Sequence, residues 1–236
     1  MIFDMTKRKS GGGEQGYTLY DIISGAEPHG DIDTSEWDID IKPYAFYKTP
    51  ITSYRHRSAH NVGEYVCGGC KNLVTAFIMA KVGGSSVVRN CTELTTLIYN
   101  APGNYSNVAT GCTKLAVADM GVNISYLGVQ YFSGCQNLKT LILRSTLRLT
   151  AIGQINAFSD TPFGSGGTGG TIYIPKELYD HLGDGTSKDY KAATNWSTLD
   201  GYGTITWKSI ESTHTDPHAP IDLTLYYADG TPIQTT

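Results

Sequence analysis

Apolar and polar positions through the middle of the chain repeat with a long, regular period. The unit reads apolar-x-x-Cys-x-x-Leu-x-x-apolar-x-apolar and is anchored on Cys70, Cys91, Cys112 and Cys135, spaced 21, 21 and 23 residues apart. Three residues after each cysteine stands Leu73, Leu94, Leu115 or Leu138. At plus six come Ala76, Leu97, Ala118 and Leu141, and at plus eight Ile78, Tyr99, Met120 and Leu143. Three residues before the cysteines are Cys67, Val88, Ala109 and Phe132. A fixed period in this range marks a repeat architecture. Val62-Gly63, Val82-Gly83, Leu127-Gly128 and Ile152-Gly153 mark turns that open units, whereas the unit around Tyr105 lacks one. Two degenerate units flank the four, running from Ala45 to Ile51 and from Ala157 to Phe163, with Thr49 and Thr161 at the cysteine position. The pattern predicts a β-rich solenoid of about six coils, built from short parallel strands stacked side by side.

One such coil cannot bury its own apolar face, so neighbouring coils cover one another and equivalent side chains form ladders. A small apolar thiol fits where coils press together. Cys70, Cys91, Cys112 and Cys135, with Leu73, Leu94, Leu115 and Leu138, are therefore expected to form a structural ladder whose thiols are buried and reduced. Within each strand the plus-six and plus-eight residues point inward, so plus five, seven and nine point out. The outward sets are Thr75-Phe77-Met79, Thr96-Ile98-Asn100, Val117-Asp119-Gly121 and Thr140-Ile142-Arg144. Phe77, Met79, Ile98, Val117 and Ile142 thus stand on a face expected to be wet, with Phe77, Ile98 and Ile142 in one row broken only by Asp119. A contiguous apolar patch on a protein surface marks an interface, which makes these five candidate contacts for a protein partner or sister subunit. The alternative cover is the N-terminal arm, which carries Tyr17, Leu19, Tyr20, Ile22 and Ile23.

Composition agrees with a β-rich chain of many tight turns: 236 residues with 27 glycines, 16 tyrosines and only 17% charged residues. A formal charge of -4 argues against a nucleic-acid binder, whose footprint is a basic excess. No stretch approaches the ~20 apolar residues of a membrane span. The start, Met1 to Ser10, places its short apolar run before the basic residues and does not read as a secretory signal. An odd count of five cysteines disfavours a disulfide framework. Cys67-Gly-Gly-Cys70 suggests redox or zinc chemistry, but a structural zinc site needs a second ligand pair, the ladder claims the remaining cysteines, and a free cysteine ordinarily behaves as a buried hydrophobe.

Other candidate chemistry is thin. Asp31 to Asp40 is rich in acids, yet a calcium loop starting at Asp31 needs Gly at its sixth position and Glu at its twelfth, where Glu36 and Lys42 stand. Solvated carboxylates on a cap are the expectation. Tyr54, Arg55 and Arg57, with His60 nearby, form the one concentrated basic patch and could grip an anionic glycan or phosphate; a solvated strand edge is the plainer reading. No Ser/His/Asp or paired-carboxylate constellation falls on equivalent coil positions, so no catalytic residue, cofactor or metal ligand is expected.

The run from Tyr131 to Leu143, YFSGCQNLKTLIL, closely resembles the BspA-type leucine-rich repeat. So does the ending from Gly170 to Tyr179 followed by Tyr190 to Trp196. The resemblance spans about residues 41 to 208. It implies a non-enzymatic binding or adhesion module and an ending that closes the last coil with a strand and a short helix. The opening run Met1 to Lys9, its glycine run Gly11 to Gly13 and the segment Tyr17 to Asp21 resemble small structural proteins of phages and prophages of gut Firmicutes. That likeness implies a virion component facing a host surface protein or glycan. A bacterial cell-surface adhesin is the alternative. The expected division is an N-terminal arm and cap (1–40), the solenoid (41–163), a C-terminal cap (164–210), and a connector with a β-hairpin around Asp229-Gly230 (211–236).

Overall fold

The computed structural model describes residues 27–146 and 155–210, together with the short strand pair Leu225–Tyr226 and Pro232–Ile233. Each coil contributes one strand to a single parallel sheet whose eight strands follow sequence order: β1 (Gly30–Asp33), β2 (Ile51–Arg57), β3 (Thr75–Met79), β4 (Thr96–Asn100), β5 (Val117–Met120), β6 (Thr140–Leu143), β7 (Gly170–Pro175) and β8 (Ile205–Ile210). The chain is a leucine-rich-repeat solenoid.

Register follows from the alternation of side chains along a strand. One inward row runs Tyr54, Ala76, Leu97, Ala118, Leu141 and Ile172, and the next runs His56, Ile78, Tyr99, Met120 and Leu143. Small and large residues alternate from Ala76 to Leu141, so side chains of adjacent coils interdigitate at interior density. Every member of both rows is buried. A second set of coil-to-coil hydrogen bonds runs through the turns before each ladder residue. There Phe46 N donates to Val66 O, Cys67 N to Val87 O, Val88 N to Val108 O, and Ala109 N to Tyr131 O. Two backbone ladders thus satisfy buried peptide groups at two places around each coil.

The thiols occupy fixed points in this scheme. Cys70 Sγ donates to Phe46 O at 2.9 Å, Cys91 Sγ to Cys67 O at 3.0 Å, Cys112 Sγ to Val88 O at 3.0 Å, and Cys135 Sγ to Ala109 O at 3.1 Å. Each of these carbonyls also accepts the backbone N–H three residues on within its own coil, so the thiol from the next coil takes its second lone pair. A cysteine here fills an apolar gap and supplies one weak donor. All five cysteines are buried and free. Thr49 and Thr161 end the ladder, each turning its hydroxyl back to a carbonyl of its own coil, Phe46 O and Phe158 O.

Both ends extend the sheet beyond the repeats. The segment expected to be only a cap adds β1, whose Asp31 carboxylate accepts from the hydroxyls of Thr52 and Ser53 at 2.9 and 2.7 Å. Asp40 likewise accepts from Asn61 N at 2.9 Å. The acidic run therefore ties the first strand to the next coil, and no His/Cys/Asp/Glu group among the described residues could hold a metal. At the other end β7 leads into α1 (Lys176–Tyr179), and α2 (Trp196–Gly201) returns the chain to β8. Phe158, Phe163, Tyr190, Trp196 and Trp207 pack ring against ring there, covering the last coil with aromatic surface. Beyond it β9 (Leu225–Tyr226) and β10 (Pro232–Ile233) pair antiparallel; the turn at Asp229-Gly230 lies outside the described residues. No helix among the described residues is long and apolar enough to cross a membrane.

Candidate ligand-binding surface

The outward row of the sheet runs Asp33, Arg55, Phe77, Ile98, Asp119, Ile142, Tyr173 and Lys208. Its alignment matches the periodicity, but its expected wetness does not hold. Phe77 and Ile98 are 7% exposed and Ile142 is fully buried, while Met79 and Val117 are half-buried. Side chains of neighbouring strands pack along this row. The Arg55 guanidinium sits 5.2 Å over the Phe77 ring, Arg144 grips Asp119, and Ile142 forms a small apolar cluster with Tyr173 and Ile210. The N-terminal arm that was the alternative cover lies outside the described residues.

The basic patch also changes. Tyr54 is 1% exposed because the β2 register sends it inward beside Ala76, and His56 follows it beside Ile78. Only Arg55 and Arg57 face out, and Arg55 already lies between Phe77 and Asp33. His60 hydrogen-bonds Asp38 at 2.8 Å. The patch is thus two arginines rather than a continuous cationic strip.

A different surface emerges on the turns. Five coils pass twice through left-handed backbone, five residues and one residue before the ladder position: Tyr44 and Lys48, then Tyr65 and Gly69, Ser86 and Asn90, Asn107 and Gly111, Gln130 and Gly134. A tyrosine at φ 62 or 52 is costly where a glycine or asparagine is at ease. Tyr44 and Tyr65 nevertheless stand there, their rings stacked at 5.1 Å and 5°. Tyr47 meets both edge-on, at 5.4 and 6.1 Å. Tyr44 and Tyr47 remain 49% and 38% exposed, so this aromatic group is open to solvent.

Beside it the coil-to-coil rows read Tyr47, Gly68, Arg89 and Lys48, Gly69, Asn90, tied by Lys48 N to Gly68 O at 2.9 Å and Gly69 N to Arg89 O at 2.7 Å. Gly69 therefore floors a notch between a tyrosine wall and an arginine wall, while the tyrosine rings rest on buried Gly68. A Cβ on Gly68 would lie 2.9 Å from the Tyr65 ring and 3.2 Å from that of Tyr47, so only glycine lets the rings rest on this backbone. Lys48 Nζ lies 5.0 Å over the Tyr47 ring, Arg89 Nη1 donates to Tyr65 Oη at 3.2 Å, and Lys71 Nζ donates to Asn90 O at 3.1 Å. Hydrogen bonds from Ser86 and Arg89 hold the Tyr65 phenol below its ordinary value. Nothing acidic and no histidine lines the notch, so it offers binding groups without an acid–base pair.

Reading Cys67-Gly-Gly-Cys70 only through its cysteines passed over this feature. The signal was present in the two positions before each ladder residue, compared across coils.

A family model for the BspA-type leucine-rich repeat region matches residues 39–163 in six copies. No curated protein and no solved structure matches the chain.

Proposed function

The chain belongs to the BspA-type leucine-rich-repeat family, and on that footing we propose that it is a non-enzymatic recognition module, serving as a virion component that meets a host or partner surface. The observation that carries recognition is the solvent-open group Tyr44, Tyr47 and Tyr65 beside three cations on a rigid wall. Aromatic and arginine side chains held in fixed geometry are the groups that dominate binding sites, and the ladders behind them supply the rigidity. What supports the virion assignment is the likeness of Met1 to Asp21 to phage structural proteins. Family membership favours a second reading, a cell-surface adhesin using the same wall.

Peptide mass spectrometry and immunogold microscopy of purified particles separate the two. Labelled particles, together with binding of the purified chain to host cells, are expected. Chain found on bacterial envelopes and absent from particles would select the adhesin. Failure to bind cells or particles in either setting would overturn recognition.

A further inference from the structure

The Gly68–Gly69 notch has a composition that the other described coils do not repeat. The equivalent pairs elsewhere are Thr110-Gly111, Ser133-Gly134 and Ser159-Asp160, none of which is a pair of glycines. Here Gly69, without a side chain, lines a space of about 410 Å³, within the range of small-molecule sites, roughly 300–1,000 Å³. Lys48, Lys71 and Arg89 line it, and among the described residues no carboxylate pairs with any of the three. Arg89 spends one donor on Tyr65, and its buried Nε–H has no partner among the described residues. In a chain of net charge -4, three cations without an ion-pair partner among the described residues, gathered at one place, suit an anion.

An anion alone leaves the rings without purpose. Tyr44 and Tyr65 stand at the left-handed position that Ser86, Asn107 and Gln130 hold in the other coils, so the turn itself does not require a ring. The face of an aromatic ring is the negative part of its quadrupole and attracts the polarised C–H groups on the flat side of a pyranose. We propose that the notch binds an acidic oligosaccharide, its carboxylate lying among Lys48, Lys71 and Arg89 and its sugar face packed on the tyrosine wall. This rests on the recognition reading and names the ligand class of that surface.

Calorimetric titration of the full chain tests it, with oligogalacturonate and sialyllactose as probes, their methyl esters as uncharged counterparts, and inorganic phosphate as the bare anion. At least one acidic sugar binds, its affinity falls with added salt, and its ester binds at least about tenfold more weakly. Gly69→Asn fills the notch with a residue that the equivalent turn already carries at Asn90, and it should abolish binding while the chain stays folded, with only a small fall in melting temperature. Lys48→Gln with Lys71→Gln, which leaves the glycines untouched, should weaken binding by about tenfold or more. No binding of either acid, equal binding of the esters, or indifference to both variants would overturn the proposal. Phosphate competing as well as the sugars would show an anion site without carbohydrate recognition and would overturn it too. If Gly69→Asn loses no attachment to cells or particles, the ligand assignment fails while the recognition reading survives.

Discussion

Asp119 on β5 and Arg144, just past β6, form a two-pronged ion pair across neighbouring coils: Arg144 Nε lies 2.8 Å from Oδ1 and 3.0 Å from Oδ2, and Nη2 lies 2.7 Å from Oδ2. Both side chains are nearly buried, at 4% and 9% exposure. Burial pushes the Asp119 carboxyl up from its ordinary value, and the guanidinium opposes that shift. The pair breaks the apolar outward row at one point and satisfies its own charge there. Arg144→Met strands a buried carboxylate and should cost about 3–5 kcal/mol in denaturant unfolding. Asp119→Leu combined with Arg144→Met should cost clearly less, since neither charge is left unpaired. A double variant as unstable as the single one would contradict this account.

The thiol ladder predicts chemical silence. Burial pushes the Cys135 thiol up to about 12, and Cys67, Cys91 and Cys112 are also raised. Only Cys70 is lowered, by hydrogen bonds from Cys67 and Thr49. Since the thiolate is the reactive species, maleimide at neutral pH should leave the folded chain essentially unlabelled and modify all five cysteines after unfolding. Fast labelling of several thiols in the folded chain would refute the packing role.

Leu138 sits fully buried three residues past Cys135, as the last leucine of the ladder. Leu138→Ala should destabilise by about 2–5 kcal/mol, through lost burial and the cavity it leaves. Leu138→Asp should be worse, because it buries a charge without a partner. An unchanged melting temperature for Leu138→Asp would refute the register.

His56 should make stability pH-dependent. Its ring is buried, with Nδ1 2.8 Å from the Thr34 hydroxyl and Nε2 without a partner among the described residues. Burial lowers its pKa below the ordinary histidine value, helped by the nearby His60 ring and opposed by the His60 backbone and by Asp33. The unfolded chain therefore binds the proton first. Stability is complete above about pH 6.5, the unfolded value, and declines as pH falls through the lower folded value. His56→Gln should flatten the dependence of melting temperature on pH between about 7 and 5. An identical slope in the variant would place the dependence elsewhere.

The amino-acid sequence by itself determined the solenoid, because a period of 21 to 23 residues leaves one way to bury each coil: against its neighbours. It also determined which strand residues point in, since that follows from alternation alone. Tyr54 escaped that logic because β2 precedes the four clear units and its register became visible only through pairing with β3. Whether an outward residue is wet was beyond the sequence as well. Exposure depends on what a neighbouring strand's long side chain lies across, as Arg55 does on Phe77. The notch shows the same division. Gly68, Gly69, Tyr47 and Arg89 are plain in the sequence, 21 residues separating Tyr47 from Gly68 and Gly68 from Arg89. Their meeting is a property of stacked coils, because only the hydrogen bonds from Lys48 to Gly68 and from Gly69 to Arg89 bring three separate turns within reach of one ligand.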